Sequence, residues 1–209
     1  GDIDVLGSAA GVNDIVWWKN DGVGNFVQHM INDSFSSAAG IVDSVDLDGD
    51  GDIDIIGNAV NGDDIVWWEN DGDENFVQHI INNSFELFQI FEFELVDLDD
   101  DTDYDIIGAV ASEDLVVWWE NDGDENFVSH TINDSFISAS AVNAVDLDFD
   151  GDLDILGTAG MSDDVVWWEN DGSESFTQHD IDTNFNGAKD IESIDLDSDG
   201  DLDFFAVAI

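Results

Sequence analysis

Four segments of this 209-residue sequence carry carboxylates at alternate positions, a pattern suited to chelating a hard divalent cation. The first reads Asp46-Leu47-Asp48-Gly49-Asp50-Gly51-Asp52-Ile53-Asp54, with acids at positions 1, 3, 5, 7 and 9 and glycine at position 6. Calcium takes six to eight oxygens at roughly 2.4 Å, and a tight loop can turn side chains 1, 3, 5 and 9 inward while the carbonyl of position 7 adds another ligand. Glycine at position 6 permits the sharp bend this needs. An EF-hand would close with Glu at position 12, but here that position is Gly57. The loop is therefore EF-like in its first half only.

The other copies supply Asp97, Asp99, Asp101, Asp103 and Asp105; then Asp146, Asp148, Asp150, Asp152 and Asp154; and finally Asp195, Asp197, Asp199, Asp201 and Asp203. The second copy puts Thr102 where the others have glycine, so its geometry and affinity are expected to differ. Four loops in phase predict about four bound Ca2+, one per complete loop. Mg2+ fits less well, because it prefers few carboxylates and retained waters.

The composition agrees with a cation-binding chain. There are 52 Asp and Glu against two Lys and no Arg, a formal net charge of −50. Such a chain cannot displace counterions from phosphates, which excludes nucleic acid as a partner. It also argues against docking on an anionic membrane, and no run approaches the roughly 18 apolar residues of a membrane-spanning helix. High charge alone would read as disorder, but 43% hydrophobic residues, with eight Trp and fourteen Phe, contradict that. The absence of Cys excludes disulfides, thiol catalysis and zinc–thiolate sites. Five carboxylates in one loop repel unless a cation sits among them, so folding and metal binding are expected to be coupled.

The elements that must position these loops repeat. Trp17-Trp18 recurs as Trp67-Trp68, Trp118-Trp119 and Trp167-Trp168, and His29, His79, His130 and His179 follow the same period of 50 or 51 residues. A period near 50 without helical patterning predicts an all-β chain, a β-propeller whose blades each hold four strands. In the unit at 36–85, strands are expected over about 40–46, 53–60, 64–69 and 76–82, with the acidic loop between the first two. The Asn70-Asp71-Gly72 turn joins the last two, its glycine supplying positive φ. The blade units fall at about 1–35, 36–85, 86–136 and 137–185, with a partial unit at 186–209, all within one repeat domain.

Residues 1–10 and 200–209 both match the second half of an acidic loop plus strand two. The chain is thus expected to be a segment of a longer polypeptide. Two arrangements follow from its four copies of strands one, three and four and five of strand two. Either strand one at about 190–195 closes a four-bladed ring on the amino-terminal strand two, leaving 202–209 surplus, or the chain is a slice of a larger propeller.

Other recurring residues read as structural. The Trp pairs are expected in the interblade core rather than as a sugar-stacking platform, since both faces of a blade pack on neighbours. The His set lies on the outer strand, its copies too far apart to share one metal. Asp43, Glu94, Asn143 and Glu192 each stand three positions before the first Asp of a loop and are expected to line an axial channel with water. Asn32-Asp33-Ser34, Asn82-Asn83-Ser84 and Asn133-Asp134-Ser135 are glycosylation sequons at one repeated position. Phe85, Phe88, Phe91 and Phe93 form an aromatic insertion suited to a partner patch or a wide interblade gap. No nucleophile–base pair or phosphate loop breaks the repeat symmetry, so no catalytic role is expected.

The run DLDGDGDIDIIG followed by VWWENDGDENF resembles the FG-GAP/VCBS repeats of integrin α-subunit propellers and of many secreted bacterial proteins. The match covers nearly the whole chain and includes the glycine after the loop (Gly57, Gly108, Gly157), replaced by Ala206 in the last copy. The resemblance implies Ca2+ held between the first two strands of each blade, and an extracellular or cell-surface protein. The expected function is a structural or adhesive scaffold, one unit of a larger or polymeric assembly, partnered by itself or by neighbouring domains. The alternative is a lectin-like module that binds glycan or protein.

Overall fold

The computed structural model describes residues 2–33, 39–59, 65–82 and 90–209, with 90 and 91 described for their backbone only. Among these residues there is no helix, and seventeen strands form antiparallel sheets. The chain divides into two compact units, Gly1–Gln89 and Ile90–Ile209.

In the first unit, β1 (Val5–Ala9), β2 (Asp14–Asn20) and β3 (Phe26–Asn32) form a three-stranded meander. Next come β4 (Ala39–Val45), β5 (Asp54–Ala59), β6 (Ile65–Asn70) and β7 (Phe76–Asn82), a complete four-stranded blade. The second unit holds two further blades. One is β8 (Ile90–Val96), β9 (Asp105–Val110), β10 (Leu115–Asn121) and β11 (Phe127–Asn133); the other is β12 (Ala139–Val145), β13 (Asp154–Ala159), β14 (Asp164–Asn170) and β15 (Phe176–Asp182). Finally, β16 (Ala188–Ile194) takes β17 (Asp203–Ala208) as its partner across the fourth acidic loop. The expected strand bounds shift by one residue at most ends, and positions 60 and 64 lie outside the described residues.

Alternation explains the packing. The two Trp of a pair point to opposite faces of the blade. In the second unit Trp118 of one blade and Trp168 of the next meet in one apolar cluster with Ile107, Val116, Phe136 and Ile155. In the first unit, Leu6, Ile15 and Ile31 pack on Ile55, Val66 and Trp68 in the same manner. Trp68, Trp118 and Trp168 thus fill interblade cores, as expected of the pairs. Phe136 stands edge-on to Trp168 with ring centroids 5.0 Å apart.

The strand-two glycine has a packing reason. A Cβ built on Gly108 would stand 2.8 Å from Cζ3 of Trp119, and one on Gly7 would stand 2.9 Å from the same atom of Trp18. The second indole of each pair leans diagonally across its neighbouring strand and needs a bare backbone there.

Polar contacts latch neighbouring sheets. Asn32 Nδ2 donates to Gln78 Oε1 at 3.0 Å, and Asn133 Nδ2 donates to Gln178 Oε1 at 2.8 Å. These are the sequon asparagines, and their amides hold the next blade; Asn83, Ser84 and Ser34 lie outside the described residues. The Ala144 amide donates to Glu94 Oε2 at 2.7 Å, tying β12 to β8. Of the aromatic insertion, Phe93 is buried in β8, whereas Phe85 and Phe88 and the side chain of Phe91 lie outside the described residues.

Strand one also gathers acids. Burial pushes the Glu92 carboxyl up from 4.5 to about 7, and Asp190, Glu192 and Glu94 add repulsion that Lys189 partly offsets. The folded chain therefore holds this proton more tightly than the unfolded chain. The contribution is fully present below pH 4.5 and is lost as pH rises through about 7. Glu92→Gln removes the cost of ionisation. It is expected to gain on the order of 1–2 kcal/mol at pH 8 and nothing at pH 4, read from denaturation midpoints at the two pH values.

Candidate functional site

Each acidic loop joins strand one to strand two, and its geometry is built by its own carboxylates. In the first, Asp46 Oδ2 accepts from the Gly51 amide at 3.1 Å, Asp48 Oδ1 from Asp50 at 3.1 Å, and Asp50 Oδ1 from Asp52 at 2.9 Å. The third and fourth loops repeat these three bonds at 3.0–3.2 Å. In the first and fourth loops side chains 1, 3 and 5 are thereby drawn together.

Ligand atoms of Asp46, Asp48 and Asp50 lie within 4.8 Å of one another. So do those of Asp97, Asp99 and Asp101, of Asp146, Asp148 and Asp154, and of Asp195, Asp197 and Asp199. Within them, Asp46 Oδ1, Asp146 Oδ1 and Asp195 Oδ1 are buried and accept no hydrogen bond. An orphaned buried carboxylate oxygen is costly unless a cation completes it. The donor set is all oxygen and anionic, which suits a hard divalent ion.

The position-3 acids show the strain of assembling these groups without a counter-charge. Desolvation pushes Asp48, Asp99 and Asp148 up, and neighbouring loop carboxylates push the same way.

Position 9 does more than the spacing predicts. Asp54, Asp105 and Asp154 are fully buried at the start of strand two. Asp154 Oδ2 accepts from the Leu147 amide at 3.0 Å and its Oδ1 from the Asn170 amide at 2.9 Å. Asp54 and Asp105 make the same pair of bonds, to Leu47 and Asn70 and to Leu98 and Asn121. This carboxylate therefore staples the loop to the end of strand three. Burial raises its proton affinity, Asp54 to about 6 and Asp105 to about 7. Among the described residues, only in the third loop does position 9 enter the three-carboxylate cluster, where it takes the place of position 5.

The position-7 side chains go elsewhere. Asp52, Asp103 and Asp152 stand against Gly72, Gly123 and Gly172, where a Cβ would collide with them. Those glycines belong to the turn between strands three and four, which is longer than a two-residue hairpin. The Asp71 amide donates to the Asn75 carbonyl at 3.2 Å, and Asp71 Oδ1 accepts from Asp73 at 2.9 Å. Gly72 and Glu74 both take positive φ, at 76° and 64°.

The second loop departs from the rest, as Thr102 predicts. Thr102 has φ 85°, a conformation in which a β-branched residue is strained, where Gly51, Gly151 and Gly200 lie at 98°, 106° and 98°. Asp97 Oδ1 also accepts from Asp101 at 3.1 Å, so it is not orphaned like its counterparts. Thr102→Gly is expected to stabilise the chain by about 1 kcal/mol in chemical denaturation. Position 4 also adopts positive φ in every loop (Gly49, Asp100, Phe149 and Ser198), which only the glycine of the first copy hints at.

The histidines stack on the first Trp of each pair, with ring centroids 4.6–4.7 Å apart. Each of the last three also meets a glutamate two residues after its Trp: His79–Glu69 at 2.8 Å, and His130–Glu120 and His179–Glu169 at 2.6 Å. The stacked imidazole covers an indole face, which removes that face as a sugar platform.

Beside the loops lie clefts between neighbouring sheets. One of about 160 Å³ is lined by Asp97, Asp99, Trp118, Asn170, Glu174 and Phe176. Its counterpart in the first unit, about 320 Å³, is lined by Trp17, Asn70, Glu74 and Phe76 among others.

A family model described as FG-GAP-like repeat matches residues 97–157 and 150–206. No curated protein matches the chain. A solved structure described as the basis of specific recognition of non-reducing terminal N-acetylglucosamine by an Agrocybe aegerita lectin is similar, with a TM-score of 0.66 at 19% identity. That likeness covers 98% of this chain and 60% of the lectin chain, so this chain spans under two thirds of its length. At such identity the likeness concerns the fold, and it agrees with the propeller blades seen here. Loops, blade period and family match converge: the chain belongs to the FG-GAP-like repeat family.

Proposed function

We propose that this chain is a Ca2+-stabilised β-propeller module of an extracellular or cell-surface protein, with a structural or adhesive rather than catalytic role within a larger or polymeric assembly. The observation that carries the calcium reading is the buried, unpartnered Oδ1 of Asp46, Asp146 and Asp195 at the centre of three copies of one loop. Ca2+ is favoured over Mg2+ because the loops offer many flexible carboxylates in place of retained waters. The scaffold reading rests on repetition: the blades carry the same loop and Trp pair, and no copy holds a distinct catalytic set among the described residues.

Calorimetric titration of metal-free protein with Ca2+ at low ionic strength tests the calcium part. Uptake of about four ions is expected, the loop with Thr102 binding weakest. Heats no larger than dilution would remove it.

A second reading, glycan binding, is favoured by the interblade cleft at Trp17, Glu74 and Phe76 and by the likeness to a lectin fold. It predicts hits on a glycan array and a change in Trp fluorescence on adding the sugar found. An array without hits counts against it and leaves the scaffold reading standing.

A further inference from the structure

In the first unit, a cation already bridges two neighbouring sheets at the outer end of the Trp–His stack. Lys19 occupies the position that Glu69, Glu120 and Glu169 hold in later repeats, and its Nζ pairs with Glu74 of the next blade's turn. His29 Nδ1 faces the other oxygen of Glu74 at 3.9 Å. The indole of Trp17 lies beneath, 5.8 Å from Nζ.

The second unit repeats this place with the ammonium gone. Glu120 stands where Lys19 stood, His130 where His29 stood and Glu174 where Glu74 stood. Ligand atoms of the three lie within 4.8 Å of one another, and His130 Nε2 is 2.6 Å from Glu120 Oε2. Two carboxylates from adjacent blades thus converge on one imidazole at the place where the first unit puts a positive charge. Stacking on Trp118 fixes the plane of His130, which presents its nitrogen without rotamer search.

We propose that Glu120, His130 and Glu174 form an interblade site for Zn2+ or a similar borderline divalent ion, chemically distinct from the oxygen-only loops. One imidazole and two carboxylates are a donor set that suits zinc, whereas calcium takes oxygens alone. A tetrahedral zinc with bonds near 2.1 Å holds its ligand atoms about 3.4 Å apart. Zinc would draw the three ligand atoms, which lie within 4.8 Å of one another, to that spacing and leave the fourth position to water. The ion would cross-link two blades as Lys19 does by its ammonium.

The test keeps the loops saturated with Ca2+ and titrates Zn2+ calorimetrically, with Co2+ absorption reporting imidazole ligation. Glu120→Lys rebuilds the Lys19 arrangement, so it is expected to keep the melting temperature and to take up one Zn2+ fewer than the parent. His130→Gln is expected to weaken that site by at least about tenfold, since even outer-shell changes cost about 10–100-fold. Glu174→Gln, on an exposed turn, gives a second variant should Glu120→Lys fold poorly. Equal Zn2+ uptake by Glu120→Lys and Glu174→Gln and by the parent would overturn the proposal. So would Zn2+ binding that vanishes in excess Ca2+, which would place the ion in the loops.

Discussion

Chelating Ca2+ with EGTA at moderate ionic strength is expected to lower the melting temperature by roughly 10–20 °C. At a free concentration tenfold above its dissociation constant, each ion stabilises the folded chain by about 1.4 kcal/mol, so four contribute about 6 kcal/mol. A domain of this size loses roughly 2–4 °C per kcal/mol. The electrostatic argument runs in the same direction. Each loop brings five or six acids together, and three of the loops hold an orphaned oxygen that water cannot reach. High monovalent salt has to be avoided, because screening alone would soften the repulsion. An unchanged melting temperature would mean that the loops fold without a metal.

The second large effect is local. Asp154→Ala is expected to cost about 3–5 kcal/mol even without metal. The substitution strands two backbone N–H groups, Leu147 and Asn170, beside a fully buried position, at about 1–3 kcal/mol each. Asp203 supplies the internal control. It holds the same loop position and accepts from the Leu196 amide at 3.0 Å, but it is exposed. Water can satisfy that amide, so Asp203→Ala is expected to cost under about 1.5 kcal/mol. Equal losses in urea denaturation of the metal-free protein would show that burying the two stranded amides adds no cost.

This contrast shows how far the sequence could be read. Alternating carboxylates announce a chelating loop, and the Trp period announces the blades, because both signals are local and repeated. What the spacing could not convey is the division of labour inside the loop. Position 9 reads as one more ligand, yet its two oxygens close on amides from position 2 and from a strand sixteen residues away. Seeing that requires the register of three strands. The glycine of strand two is similar: its necessity appears only once Trp168 is seen lying across Gly157.

Contacts between blades were the least readable. Lys19 and Glu74 are fifty-five residues apart, and Glu120 and Glu174 belong to different repeats, so no single repeat contains either pair. The histidines stack on indoles one strand away. Their glutamate partners went unnoticed because the pairing is diagonal across two strands. The Asn-Asp-Gly turns announce one positive-φ residue, the glycine, whereas Glu74, Glu125 and Glu174 add a second. Glutamate is no signal for that conformation.

The most direct measurement is anomalous diffraction from crystals grown with Ca2+. The account predicts a peak at 2.3–2.6 Å from Oδ1 of Asp46, of Asp146 and of Asp195, with the weakest loop peak beside Asp97. Well-ordered loops holding only water at those positions would contradict it.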